Sequence, residues 1–343
     1  MGTLLDRFDN IPADEKTVIL NLIHGELNVY IENDKLIFNN HSEPMDESEY
    51  LQLYDVVKKY FNNHEWELIH CNLGSSFKNA RVVDSQYPRT YNHVKGSPNW
   101  RFIPYDVDKL KSKREKVFLF YNGSCGDRAV HRLMSFHYLL DYGILDKTLY
   151  SMLEKPTSVT YSTLSGYDSQ FDSGVDWKKH QDFFERAPFL LDVDLGEHNF
   201  VDLNDIYDSE PANSLDLPFS HIQKTYFSLV TESFFFEPHW CKDKSLFDIS
   251  EKTYKAVLTQ PFIIMARPGI LKYLRGKGFD TFDDVFDNSY DEVKNDWDRF
   301  KLIMKEVKRV CDLEQETLHE LYLSCVDRII YNQQKFLSYE GKI

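Results

Sequence analysis

The sequence predicts an α/β protein made of two Rossmann-like domains with C-terminal helices, on three observations. Short apolar runs rich in β-branched and aromatic residues alternate with segments whose apolar residues recur at helical spacing. One stretch, "KVFLFYNGSCGDRAVHRLMSFHYLLDYGILDKTLYSM", runs strand, glycine turn, helix, strand, the pattern of a layer with a parallel sheet. A chain of 343 residues is also long enough for two cores.

Taken in order, "TVILNLIHGE" is short, β-branched and closes near a glycine, so it reads as a buried strand whose following loop carries His24 and Glu26. From Ser48, a plausible cap, Leu51, Tyr54, Val57 and Phe61 fall at helical spacing, with Tyr50 and Leu53 beside them. "WELIHCNL" is the next strand. The charged stretch Asp106 to Lys116 is polar and precedes a fresh strand, so it is expected to mark a domain boundary. Beyond it come a strand over Val117 to Tyr121, a turn holding Gly123 and Gly126, and an amphipathic helix from Arg128 to Tyr142 closed by Gly143. "TLYSM" is the strand that follows. Residues 155–220, rich in Ser, Asp, Asn and Pro, show no regular pattern. "YFSLVTES" and "PFIIMA" then read as strands flanking a helix, and the tail from Ser289 to about Tyr339 reads as helical. The expected organisation is a first domain over 1–110, a second over 111–310, and a C-terminal helix over 311–343 bracing the domains.

Composition narrows the function classes. The formal charge of −15 and pI near 5.3 argue against coating nucleic acid or an anionic membrane through the overall field, while leaving room for a local basic groove. Five cysteines, Cys71, Cys125, Cys241, Cys311 and Cys325, are scattered without a CxxC, so neither a disulfide framework nor a zinc site is expected. The opening "MGTLLDRFDNIPADEK" is acidic where a signal peptide is basic, and no apolar run approaches the ~20 residues that span a bilayer. A cytoplasmic protein without a membrane span is expected, in a host cytoplasm if the source is viral. "MGTLLD" also lacks the Ser or Thr at its sixth position that favours myristoylation.

Two charged junctions could carry chemistry. In "NGSCGDRAVHR" a glycine turn opens a helix, so backbone N–H groups and the helix dipole could cradle a phosphate, with Arg128 and Arg132 one turn apart on one helix face. The alternative is a tight strand-to-helix turn with two solvated arginines. In "DISEKTYKAVLTQPFIIMARPG" the residues Glu251, Lys252 and Lys255 crowd the first turns of a helix, where cations are unfavourable by some tenths of a kcal/mol. An anion is one explanation and a surface ion pair is the other. Ligands of open α/β sheets collect at the carboxyl ends of strands, so these two junctions together would suit a diphosphate.

The second junction also carries a resemblance. "FSLVTES" followed by "FDISEKTYKAVLTQPFIIMARPG" resembles the donor-binding region of fucosyltransferases of the α1,3 type, in which a T-E-K helix precedes a proline-led strand. Ser250, Glu251 and Lys252 stand at T-E-K, Ala256 at the helix alanine and Pro261 at the strand opening, over about 45 residues, with "FFFEPHWCKDKSL" inserted between the two blocks. The wider class is the two-domain GT-B nucleotide-sugar transferases. The resemblance implies that Lys252 meets the donor diphosphate, that Glu251 meets a ribose or sugar hydroxyl, and that Glu232 is a further acidic donor contact. A fainter similarity, in "NGSCGDRAVHRLMSFHYLLDYGILDK" and "GILKYLRGKGFDTFDDVFDNSYDE", is to glycosyltransferases of large tailed phages, some of which modify hydroxymethylated cytosine in DNA.

These resemblances imply sugar transfer from a nucleotide-diphosphate sugar to a hydroxyl of a glycan or of a hydroxymethylated base, with no prosthetic group and no required metal. Cations at helix starts would stabilise the departing diphosphate, and an inverting reaction needs a general base on the acceptor side, for which His24 and Glu26 are the candidates. Two other readings stay open. Asp192 and Asp194 in "FLLDVDLGEHNF" form a D-x-D that could hold Mn²⁺ or Mg²⁺ in a metal-dependent GT-A-type enzyme. With aromatic residues at 15%, the chain could instead be a carbohydrate-binding or interaction module, although most aromatics fall on apolar faces, as core packing requires.

Overall fold

The computed structural model describes residues 3–23, 29–40, 47–70, 78–82, 110–123, 129–153, 155–171, 176–189, 219–236 and 249–338. The chain is a mixed α/β protein that divides into two compact units, residues 1–88 with 237–249, and residues 89–236 with 250–342. Among the described residues no helix is long and apolar enough to cross a membrane.

The first unit begins with α1 (Leu4–Asp9), opened by a reciprocal cap in which Thr3 Oγ1 accepts from Asp6 N–H and Asp6 Oδ2 accepts from Thr3 N–H. The run expected to be the first strand is instead part of α2 (Ala13–Leu22). Its acids Asp14 and Glu15 sit in the first turn, where the helix dipole favours them, and the buried Ile19 and Ile23 lie one turn apart. A short apolar run does not distinguish a buried strand from the inner half of a helix, and the residues ahead of Thr17 decided it.

The first strands are β1 (Val29–Glu32) and β2 (Lys35–Asn40), an antiparallel hairpin turned by Asn33 and Asp34 at φ 50° and 61°. Positive φ at both central residues is what a type I′ turn demands, and Asn and Asp tolerate it best after glycine. The crossover helix α3 (Glu47–Val57) leads to β3 (Trp66–His70), parallel to β2, and β4 (Ala80–Val82) continues the parallel run. The buried face of α3 is Tyr50, Leu53 and Val57, while Leu51, expected on the apolar stripe, is exposed. The core gathers on Phe38, whose ring meets Phe8 and Trp66 edge-on, each at 5.9 Å.

The second unit is built on β5 (Lys116–Asn122), β6 (Thr148–Met152), β7 (Thr225–Thr231) and β8 (Phe262–Met265), in the order β6-β5-β7-β8 with every pair parallel. All residues of β7 and β8 are buried, the continuous apolar run expected of a parallel sheet covered on both faces. The helices that cover it are α4 (Val130–Asp141) after β5, α5 (Ser158–Phe171) and the short α6 (Gln181–Phe184) after β6, and α7 (Phe219–Lys224) leading into β7. Helix α8 (Glu251–Thr259) joins β7 to β8, and α9 (Ile270–Gly276), α10 (Asp296–Cys311), α11 (Gln315–Leu323) and α12 (Val326–Leu337) follow. Part of the stretch without pattern is thus the helix α5.

The units divide after Pro88, ahead of the charged stretch expected to mark the boundary. Arg114 shows why the end of that stretch is not a linker: its buried guanidinium lies over the Tyr322 ring at 4.3 Å and donates to Leu110 O, Ile222 O and Tyr322 OH. The C-terminal helices belong to this same unit, where Phe336 of α12 packs on Tyr254 of α8 and Gln333 Nε2 donates to Leu258 O.

Candidate functional site

In the second unit the strand order reverses between β5 and β7, since β6 lies on one side and β7 and β8 on the other. Helices that leave such neighbours on opposite sides open a crevice beyond the carboxyl ends of the strands, where ligands of open parallel sheets bind. The paired backbone of β5 and β7 runs to Leu119 against Ser228, and farther along the side chains tie the strands, with Thr231 Oγ1 donating to Asn122 Oδ1 at 2.9 Å.

The exit of β7 is the centre of this edge. Glu232 is fully buried, and its Oε1 accepts from Ser250 N–H at 3.0 Å and from the Thr253 hydroxyl. Glu232 therefore fixes the start of α8, where the Ser250 hydroxyl also caps Lys252 N–H. Among the described residues, Glu232 Oε2 has no hydrogen-bond partner. From above, α4 supplies His131 and Arg132: His131 Nε2 lies 2.9 Å from Glu232 O, and Arg132 donates to the carbonyls of Thr231 and Glu232 at 3.3 and 3.5 Å. Arg132 is buried, which overturns the reading of a solvated arginine on an amphipathic helix. The helix is buried nearly all round because it lies between the sheet and further aromatic layers, and nine of its residues, from Val130 to Leu139, are buried, His131, Arg132, Ser135 and His137 among them.

A third element clamps the same exit. Arg299 of α10 is buried and donates to Phe235 O, Ala266 O and Val293 O at 2.7 to 3.1 Å, with Asp296 as its carboxylate partner at 2.8 Å. Its guanidinium also lies 4.4 Å from the Phe235 ring centroid, and the His131 ring stacks on Phe235 at 5.4 Å. Burial, together with the charges of Arg132 and Arg299, holds the His131 imidazole well below its ordinary pKa, so it is neutral.

The charges at the start of α8 pair with each other. Lys252 Nζ lies 3.1 Å from Glu251 Oε1 and 3.4 Å from Ser250 Oγ, with the lysine side chain about a third exposed. Burial works against the Glu251 charge, but Lys252 and Lys255 hold its carboxyl below the usual carboxylate range. Arg132, Glu232, Glu251, Lys252 and Lys255 thus all stand at the start of α4, the exit of β7 or the start of α8. Gly123 directly follows β5, and a Cβ built there meets nothing within 4 Å, so packing does not demand a glycine. Gly126 and Arg128 lie outside the described residues, as do His24, Glu26, Asp192 and Asp194. Among the described residues no group of three His, Cys, Asp or Glu side chains is arranged to hold a metal ion.

His131, Asn122, Thr231 and Arg299 escaped the sequence reading. Arg299 was findable: on α10 it shares a stripe with Ile303, Val307 and Val310, so a charge sits on the core face. What the fold and this edge define is a parallel α/β unit with buried polar side chains at the carboxyl end of its switch point. Comparison with known protein families, with curated proteins and with solved structures finds no match.

Proposed function

We propose that the protein is a metal-independent glycosyltransferase of the GT-B type, with two Rossmann-like domains, that moves a sugar from a nucleotide-diphosphate sugar to an acceptor hydroxyl. The observation that carries this reading is the buried Glu232 carboxylate at the β7 exit, which holds the start of α8 and with it the pair Glu251 and Lys252. The donor lies along this edge with its diphosphate toward the start of α8, where backbone N–H groups and Lys252 offset the charge that grows as the sugar–phosphate bond breaks. The acceptor oxygen attacks the anomeric carbon while a base takes its proton, a role assigned to His24 or Glu26. A glycan or a hydroxymethylated base of phage DNA is the acceptor.

Of the aromatic rings whose burial is described, only Tyr331 is counted among the exposed large side chains. The other described tyrosines and phenylalanines are buried or half-buried, which favours the enzyme over a module that stacks sugars on a flat aromatic face. The test is a thermal-shift titration with UDP, GDP, CDP, ADP and their sugars, with and without Mn²⁺. One nucleotide is expected to raise the melting point without metal, because a ligand that binds only the folded state stabilises it. Lys252→Ala should abolish most of that shift and most turnover while lowering the unliganded stability by only about 1 kcal/mol, the loss of one partly exposed ion pair. A full shift in that variant, or a shift that appears only with Mn²⁺, would sink the assignment.

A further inference from the structure

Two hydrogen-bond acceptors stand without a partner at the β7 exit among the described residues, and they belong to residues in direct contact. One is Glu232 Oε2 and the other is His131 Nδ1, both in fully buried side chains. The tautomer of His131 follows from its surroundings. Glu232 O can only accept, so the ring nitrogen 2.9 Å from it, Nε2, carries the hydrogen. The ring is neutral, so Nδ1 holds a bare lone pair.

We propose that His131 is a specificity-determining residue, whose Nδ1, like Oε2 of the Glu232 side chain whose backbone it contacts, accepts a hydrogen bond from a hydroxyl of a sugar ring in the ligand. This rests on the nucleotide-sugar reading above and names the part of the ligand that this corner of the crevice takes. Phosphate is the wrong group for it: phosphate oxygens only accept, and they would face a carboxylate and a lone pair. A pair of hydroxyls supplies two donors to two acceptors. The ring that carries them is either the ribose or the transferred sugar, and the chemistry is the same for both.

The geometry supplies a matched pair of variants. In His131→Gln the side-chain amide reaches the Nε2 position and can still donate to Glu232 O, but the Nδ1 acceptor is gone. In His131→Asn an amide oxygen can stand near Nδ1, but the donor to Glu232 O is lost. The experiment is calorimetric titration of the full chain with inorganic pyrophosphate, with the nucleoside diphosphate that binds the unmodified protein, and with its sugar nucleotide. For His131→Gln we expect about tenfold weaker binding of the hydroxyl-bearing ligands, the loss of one hydrogen bond, with pyrophosphate unchanged. Asparagine at the same position should restore part of the affinity. Equal losses for the nucleoside diphosphate and the sugar nucleotide would place the hydroxyls on the ribose, and a loss for the sugar nucleotide alone would place them on the transferred sugar. If His131→Gln folds poorly, Glu232→Gln carries the test, because its amide oxygen can keep the α8 contacts while Oε2 becomes a donor, and the same tenfold pattern is expected. Unchanged binding in the glutamine variants, or an equal loss for pyrophosphate, would overturn the proposal. Failure of every nucleotide to bind the unmodified protein would remove the donor reading itself and this assignment with it, a result visible before any variant is made.

Discussion

Among the described residues the two units carry sheets of equal size, four strands each, yet only the second buries a cluster of charged side chains at a sheet edge. The first sheet runs β1-β2-β3-β4 in chain order and starts with a hairpin, so its strand order never reverses. The second sheet, β6-β5-β7-β8, reverses between β5 and β7. Burial follows the difference: among the described residues the first unit buries a single polar side chain, Asn40, whereas the second buries Arg114, Arg132, Arg267 and Arg299 together with Glu232 and His131. Burying charge costs free energy unless each group is held by partners. The lesson is that strand order, rather than strand number, decides where such a cost is worth bearing.

Ways to break that contrast can be ranked. The largest effect is expected from Arg299→Met, which removes the donor to the carbonyls of Phe235, Ala266 and Val293 and breaks the ion pair with Asp296. Chemical denaturation should show a loss of about 3–5 kcal/mol, the range for breaking a buried pair. A loss below about 1 kcal/mol would mean that the clamp is ornamental. Phe38→Ala attacks the apolar core of the first unit and should cost about 3–5 kcal/mol, with hydrogen exchange speeding up in β1 to β4. Equal acceleration in β7 and β8 would contradict the division into two cores.

A smaller effect concerns acid. His137, buried on α4 against Trp177 and Phe184, is pushed down to about 4 by burial, with His180 beside it lowering it further and Asp141 and Asp176 acting the other way. The unfolded chain takes up this proton near the ordinary histidine value and the folded chain only near pH 4. His137 therefore costs nothing above pH 6.5 and erodes stability as pH falls from there toward 4, by up to about 3 kcal/mol at ~1.4 kcal/mol per unit. His137→Phe should flatten that part of the stability profile, and an unaltered acid limb would exclude His137 as its source. The smallest effect is a gain. Asp34→Gly relieves a positive φ in the hairpin of the first unit and should add about 1 kcal/mol, read as a higher melting point; an unchanged melting point would show that Asp34 carries no strain there.

Much of this fold was legible along the chain. Val117 to Tyr121, "TLYSM", "YFSLVTES" and "PFIIMA" are apolar runs of strand length between turn signals, and each is a strand of the second sheet. The first unit was harder. Its α2 was hidden because a short stretch of Val, Ile and Leu fits either period, and its hairpin was overlooked although Asn33 and Asp34 are the residue types that accept the turn. Of the residues at this edge, Glu251 and Lys252 stand out in the sequence because they are adjacent charges at a helix start, and Glu232 because it closes the preceding apolar run, whereas His131 reads only as a neighbour of Arg132.

The sequence by itself determined the elements of the second sheet and the clustering of Glu251, Lys252 and Lys255 in the first turns of one helix, because each depends on residues within one or two helical turns. Only the tertiary structure decided that β7 lies beside β5, that Arg132 and Arg299 are buried across the β7 exit, and that one carboxyl oxygen and one imidazole nitrogen there have no partner among the described residues. The physical reason is reach. Capping and local charge pairing act over a few residues, while the strand order that brings Asn122 to Thr231, 109 positions apart, is set by which apolar surfaces the whole chain can bury together.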